Sequence, residues 1–314
     1  MRILIVGGTG FIGGALQGAL AESGHDVVIS TRGKDGSEGK LTWRPPQLLP
    51  PEVISQFEAV VNLAGEPIAP KRWTRKRKQK ILSSRVDTTR SLVESIRRAD
   101  SKPHTLINAS AVGIYGPCGD ECITEESPLG CDFLATVCRK WEEEALRAEE
   151  LGVRVVRLRI GCVLEADGGA LPRLMLPFRF FLGGPLGSGR QWVSWIHRDD
   201  VIGLIEFALQ NEAVCGPLNA TAPNPVTNKE FSKALGKAMH RPCFFAVPGF
   251  LLKLALGELA GMLLTGQRVL PEKALKAGYR FKYATLEDAL KAILEDQRTT
   301  CSFPETEPRG DCTR

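Results

Sequence analysis

Seven residues near the amino terminus, Gly7-Gly8-Thr9-Gly10-Phe11-Ile12-Gly13, have the types and spacing to hold a phosphate through the backbone. Gly7 permits a tight turn off a strand, Gly10 lets the main chain approach a pyrophosphate, and Gly13 lets the next helix lie close to the sheet. Free amides at the start of that helix then face the anion. Such a glycine pattern is weak evidence alone. Here it follows the apolar, β-branched run Arg2–Val6 and precedes a helical pattern over 14–22. Ser23-Gly24-His25 leads into a second apolar stretch over 26–30. The reading is a dinucleotide-binding strand–turn–helix–strand unit. Where the second strand ends, an NAD-preferring site offers an acid to the ribose, whereas this chain has Thr31-Arg32. A guanidinium there suits a 2′-phosphate, so the expected cofactor is NADP.

Further chemistry-bearing residues fall where strands end. The stretch 57–65 is apolar and closes on Asn62-Leu63-Ala64-Gly65, small enough at its end to bring the backbone against a cofactor. The stretch 105–116 carries Asn108 and Ser110 and ends at Tyr115-Gly116. Histidine as a residue type suits proton transfer, but the His-Arg-Asp-Asp context of His197 fits a helix start. Cys138 reads as a buried structural cysteine.

These groups need a scaffold, and the pattern supplies one. Strand-like runs at 2–6, 26–30, 57–65, 105–116 and 153–161 alternate with helical patterns at 14–22, 74–98 and 133–149. Such alternation predicts an α/β fold, a Rossmann-like doubly wound parallel sheet with right-handed crossovers. Residues 1–167 form its NADP-binding part, and 196–221 return to complete the sheet. A smaller, mainly helical substrate domain is expected from 168–195 and 222–296. In it, Asn228 is placed at a helix N-cap, and helices are expected over 248–264 and 286–294. Residues 33–39 read as a loop, and 297–314 as a disordered tail.

Composition bounds the function. At 314 residues with 43% hydrophobic and 25% charged content, the chain is an ordinary globular protein with enough apolar mass for a full core. The net charge of +5 is concentrated locally, in the basic run from Lys71 to Lys80. No aromatic interleaving accompanies that run, so it reads as the solvated start of a helix, and no nucleic-acid partner is expected. Nine cysteines include no C-x-x-C pair and are not grouped with histidines, so no metal is expected and a reduced, cytoplasmic setting fits. No secretion signal or membrane span is visible, and no membrane partner is expected.

The glycine turn, Asn62-Leu63-Ala64-Gly65, Tyr115-Gly116 and Ile196-His197-Arg198-Asp199-Asp200 together resemble the extended short-chain dehydrogenase/reductase superfamily. A narrower likeness rests on Glu66-Pro67-Ile68, Arg72-Trp73-Thr74, Ser84-Arg85-Val86, Trp195-Ile196-His197-Arg198-Asp199, Asn219-Ala220-Thr221-Ala222-Pro223 and Gly266-Gln267-Arg268-Val269-Leu270-Pro271. These resemble the atypical epimerase-family subgroup with a characteristic C-terminal helical domain, over residue 1 to about 294. The resemblance implies an NADP-dependent oxidoreductase acting on an unidentified small molecule, and it permits a homodimer. Carried over, the cofactor site comprises Gly7, Thr9, Gly10, Phe11 and Ile12 at the phosphates, Thr31 and Arg32 at the 2′-phosphate, and then Leu63, Ala64, Gly65 and Arg85. Ile160 falls at the nicotinamide carboxamide.

The superfamily's usual proton chemistry needs a tyrosine, a lysine four residues on that lowers its pKa, and a nearby Ser or Thr. Tyr115, Tyr279 and Tyr283 all lack that lysine. Thr136 and Lys140 have the spacing, which puts Thr136 at the tyrosine position and leaves Lys140 to bind ribose. The usual hydroxyl position falls on Ala111, with Ser110 beside it. Met175, Phe178, Gln191 and Trp192 are the candidates for substrate contact. Two function classes stay open: an NADP-dependent oxidoreductase with an altered proton donor, and a non-catalytic NADP-binding sensor or scaffold.

Overall fold

The protein is described from a computed structural model covering residues 1–33, 39–69 and 71–301, with side chains to residue 295. In chain order its first half is β1 (Arg2–Val6), α1 (Phe11–Glu22), β2 (Asp26–Thr31), β3 (Lys40–Thr42), α2 (Pro51–Ile54), β4 (Ala59–Asn62), α3 (Arg75–Arg98) and β5 (Thr105–Ala111). Next come β6 (Cys122–Ile123), α4 (Phe133–Leu146), β7 (Arg154–Ile160), β8 (Cys162–Leu164), α5 (Leu171–Arg179), β9 (Trp192–Val193), β10 (Trp195–His197), α6 (Arg198–Gln210) and β11 (Gly216–Ala220). The chain continues through β12 (Val226–Thr227), α7 (Asn228–Ala238), α8 (Gly249–Leu256), α9 (Ala260–Leu264), β13 (Arg268–Val269), α10 (Glu272–Lys276) and α11 (Leu286–Cys301).

Seven strands form one parallel sheet in the order β11-β7-β5-β4-β1-β2-β3. Strands β1 and β4 at its centre are mostly apolar and buried on both faces, as parallel crossovers require. On one face Ile3, Ile5 and Val61 pack with Leu16 and Leu20 of α1 and Val201 and Ile205 of α6. On the other, Leu4, Val60 and Leu106 meet Ile54 of α2 and Leu92 and Ile96 of α3. Strand order reverses between β1 and β4, and their carboxyl ends open the crevice in which such sheets hold ligands. A separate apolar cluster joins α5, α7 and α11 around Trp195, Phe231, Leu235 and Leu290.

Several boundaries differ from the sequence expectation. The N-cap of α7 is Thr227, one residue before the expected Asn228: its hydroxyl accepts from the Glu230 amide while the Glu230 carboxylate accepts from the Thr227 amide. This reciprocal box satisfies two end donors where Asn228 would satisfy one. Asn228 instead accepts from the Leu186 amide. Gly257, at φ +62°, breaks the expected 248–264 helix into α8 and α9. The helix expected over 286–294 runs on to Cys301, so 297–301 are helical rather than part of a disordered tail. The rest of that expected tail, 302–314, and most of the expected loop, 34–38, lie outside the described residues.

Candidate functional site

The phosphate turn is built by backbone packing. Gly7 adopts φ +86°, a left-handed conformation that favours glycine, and a Cβ there would sit 3.0 Å from the Ala64 amide nitrogen. A Cβ on Gly13 would collide with the Gly7 carbonyl oxygen and lie 2.8 Å from Gly8 Cα. The turn is closed by a hydrogen bond from the Gly10 amide to the Gly7 carbonyl, 3.0 Å. Helix α1 then starts at Gly10 with no side-chain cap and no acid in its first turn. Its first amides therefore stay available to an anion at the positive end of the helix.

The wall opposite the turn is held by a buried polar network. Asn62 donates to Asn108 Oδ1 (2.7 Å) and to Thr89 Oγ1 (2.9 Å), while its own Oδ1 accepts from the Ala64 amide. Trp141 Nε1 also donates to Thr89. With Asn62, Asn108 and Thr89 fully buried, the network fixes the path of Leu63 and Ala64 against Gly7. Gly65 follows, and Arg85 lies beneath it: the guanidinium donates to the Glu66 and Ile81 carbonyls and stacks 5.1 Å from the Trp141 ring. Burial pushes the Arg85 guanidinium below its ordinary range.

At the end of β2, Thr31 Oγ1 accepts from the Gly33 amide, and exposed Arg32 carries no ion pair among the described residues. A second exposed cation stands beside it. Pairing of Thr31 with Thr42 sets the ends of β2 and β3 side by side, and Arg44 Nε donates to the Arg32 carbonyl at 2.8 Å. Arg44 was missed in the sequence because nothing local to it signals a phosphate.

The far side of the crevice is where acid–base groups would stand. Ile160 ends β7, and the Ser110 hydroxyl near the end of β5 is buried without a hydrogen-bond partner of normal geometry among the described residues. Beside Ser110 and the Ala111 backbone lies Cys138, whose thiol burial raises from 9.0 to about 11, so it stays protonated. One turn earlier, Leu134 lies against Gly113, in the turn that follows β5. Leu134 and Cys138, four apart, share a helical face, and it is the face turned to the strand end. Thr136 and Lys140 lie two residues round the helix from that face. The Thr136 hydroxyl donates to the Asp132 carbonyl, and Lys140 is exposed in a crevice with Gln79, Ser83, Asp87 and Arg90 of α3.

Tyr115 is not a free phenol. Its hydroxyl donates to Asn219 Oδ1 (2.7 Å) and accepts from Arg159 (2.9 Å), and burial pushes its pKa up despite the guanidinium. Arg159 is held by Glu142 through both carboxylate oxygens. His197 caps α6 by accepting from the Asp199 amide, with its ring 4.0 Å from that of Tyr283. It serves a helix start, as its sequence context suggests.

The profile of the NAD dependent epimerase/dehydratase family matches residues 3–219, and that of a domain of unknown function, DUF1731, matches 247–293. Epimerase family protein YfhF of Bacillus subtilis is 43% identical over 304 residues, covering 95% of this chain and all of that protein. The chain belongs to the NAD dependent epimerase/dehydratase family. Within it, the chloroplastic SDR39U1 homolog of Arabidopsis thaliana is also 43% identical, over 94% of this chain and 87% of its own. The crystal structure of human epimerase family protein SDR39U1 (isoform 2) with NADPH superposes with a TM-score of 0.85 at 37% identity, covering 94% of this chain and 100% of the human one.

In this epimerase-family chain the four residues expected at a substrate do not converge on one surface. Met175 and Phe178 are 2% and 4% exposed, inside the cluster around Trp195 and Phe231, which corrects the expectation that they face a ligand. Helical spacing of Met and Phe here marks a core face. Gln191 donates to the Leu186 and Leu263 carbonyls, and Trp192 donates to Asp120 beneath the Arg268 guanidinium.

The basic run has structural partners. Thr74 caps α3, Arg77 binds Glu66 and the Pro67 carbonyl, Lys80 pairs with Glu66, and Lys78 pairs with Glu258. Arg72 donates to the Leu254 and Ala255 carbonyls at the end of α8. Much of the run thus ties the segment after β4 to the carboxy-terminal helices.

Proposed function

We propose that the protein is an NADP(H)-dependent oxidoreductase of atypical short-chain type, acting on a small carbonyl or alcohol. The single observation that carries the reading is the pairing of an uncapped α1 start over the Gly7–Gly13 turn with two exposed arginines, Arg32 and Arg44, where β2 and β3 end. The NADPH named with human SDR39U1 supports it. The amides of Phe11 and Ile12 and the Thr9-Gly10 backbone would hold the pyrophosphate, and Arg32 with Arg44 the 2′-phosphate. Leu63, Ala64 and Gly65 would line the nucleotide, and Ile160 the nicotinamide side. The nicotinamide supplies the hydride. The chain's part is to orient it and exclude water.

For the proton, Leu134 and Cys138 stand where a phenol and an ammonium would have to face the end of β5. Neither carries charge at neutral pH, so this reading leaves Thr136 and Lys140 out of proton transfer and gives Ser110 only a hydrogen-bonding part. The same apolar pair favours a second reading, a non-catalytic NADP(H)-binding sensor or scaffold. Titration with NADPH and NADH tests the shared part: wild type should prefer NADPH by at least about tenfold, or about 1.4 kcal/mol. Arg32→Ala with Arg44→Ala should remove most of that preference. Equal affinities in the wild type would refute it. A nicotinamide-absorbance screen of carbonyls and alcohols separates the two readings, since turnover is expected only of the oxidoreductase.

A further inference from the structure

Helix α8, Gly249–Leu256, is almost wholly apolar, yet none of its residues is buried. An apolar helix in a water-soluble fold is expected inside a core, and this one lies outside it. Phe250 and Leu254 are 69% and 74% exposed. The helix is held at its carboxyl end by Arg72, and at its start Gly249 packs beside the Leu264 side chain. It does not stand alone. Residues 183–187 run beside 245–247, joined by the Phe245 amide to the Gly183 carbonyl, the Val247 amide to the Pro185 carbonyl and the Gly187 amide to the Val247 carbonyl. That ladder brings the exposed Phe180, Phe181 and Leu182, which follow α5, to the exposed Phe244, which precedes α8. Two exposed apolar and aromatic segments far apart in sequence are thereby set side by side, the kind of clustering that marks an interaction surface.

Charge decides what covers it. The segments that supply this surface, 173–182 and 241–257, contain no Asp or Glu but four Lys and Arg, and Glu258, which follows at once, is paired with Lys78. Arg173, Arg179, Arg241 and Lys253 are all exposed, and none has an acidic partner among the described residues. Arg241 stacks on Phe181 at 4.6 Å, which ties the cations to the apolar face. A like patch on a second copy would bring cation against cation, and an ordinary protein partner needs no such exclusive sign. We infer that this face is a peripheral docking surface for an anionic lipid bilayer. The phenylalanines and leucines would enter the headgroup–acyl boundary while the arginines and Lys253 reach lipid phosphates. Among the described residues no helix is long and apolar enough to cross a membrane, so the contact is one of lying on the surface.

Co-sedimentation of the full chain with phosphatidylcholine vesicles, with and without phosphatidylglycerol, tests this. Wild type should pellet with the phosphatidylglycerol vesicles, remain in solution with pure phosphatidylcholine, and be released by added salt. Phe250→Glu with Leu254→Glu should lower the bound fraction at least about tenfold, as should Arg179→Glu with Arg241→Glu. Phe244→Asp, at a side chain 82% exposed, provides a variant that leaves packing untouched and should also weaken binding. An unchanged thermal melt and NADPH affinity would show that each variant is folded. Absence of vesicle binding at low salt overturns the inference, and so does wild-type binding by the Phe250/Leu254 variant. A concentration-dependent dimer in sedimentation velocity, abolished by Phe250→Glu and Leu254→Glu without vesicle binding by the wild type, would assign the face to a second copy instead.

Discussion

The two ends of the crevice are made differently. At the β1–α1 turn the groups facing a ligand are backbone amides, and the side chains are almost absent: glycines set the path, and Asn62 holds the opposite wall. At the β5–α4 end everything depends on side-chain identity, and there the chain presents Leu134, Cys138 and Ala111. A backbone site cannot be altered by one substitution unless the new side chain displaces the chain itself. A proton-transfer site can be altered at every position while the fold stays intact. The first end therefore keeps the form of a nucleotide cradle, and the second departs from the tyrosine–lysine chemistry of the wider superfamily.

The largest expected effect tests the cradle. Gly13→Ala places a methyl against the Gly7 carbonyl and Gly8 Cα. Because the obstacle is backbone, the turn must open, and NADPH affinity should fall on the order of a hundredfold, or about 2.8 kcal/mol, by calorimetric titration. Affinity within threefold of wild type would mean that the turn does not hold the pyrophosphate.

A smaller effect tests the other end through pH. Burial raises the Cys138 thiol, and equally that of Cys162, from 9.0 to about 11. A folded pKa above the unfolded one means that the stability is present in full below pH 9 and is lost as pH rises through about 11. Chemical denaturation at stepped pH should show this loss, on the order of 1 kcal/mol or more from each thiol. Cys138→Ala should flatten part of it. A Cys138 that instead ionised near neutrality, detected by fast alkylation at pH 7, would restore it as a chemical group and end the contrast.

The smallest effect concerns Lys140. Exposed on the α3 side of α4, it should be replaceable by Ala with NADPH affinity unchanged within about twofold and stability within about 0.5 kcal/mol. A large loss of either would put Lys140 back at the ribose.

What could be read in the sequence was what is local. The strand–turn–helix at 2–22, Arg32 after β2 and the α/β alternation each depend on neighbours a few residues apart. The Thr136/Lys140 spacing was also visible, but every helix offers many pairs four apart. Which pair meets the strand end depends on the rotation of α4 about its axis. Packing sets that rotation: Cys138, Trp141 and Glu142 turn inward to Ser110, Thr89 and Arg159. Spacing alone carries no such information.

Sequence by itself determined the glycine turn after β1 and the sheet that bears it, because glycine geometry and hydrophobic period act over one turn or one strand. Tertiary structure alone decided three further matters. It brought Arg44 beside Arg32 through the β2–β3 pairing, it placed Met175 and Phe178 in a core, and it joined Gly183 to Phe245 across more than sixty residues of chain. Each joins groups distant in sequence, and their meeting is fixed by long-range pairing and packing that no local residue pattern encodes.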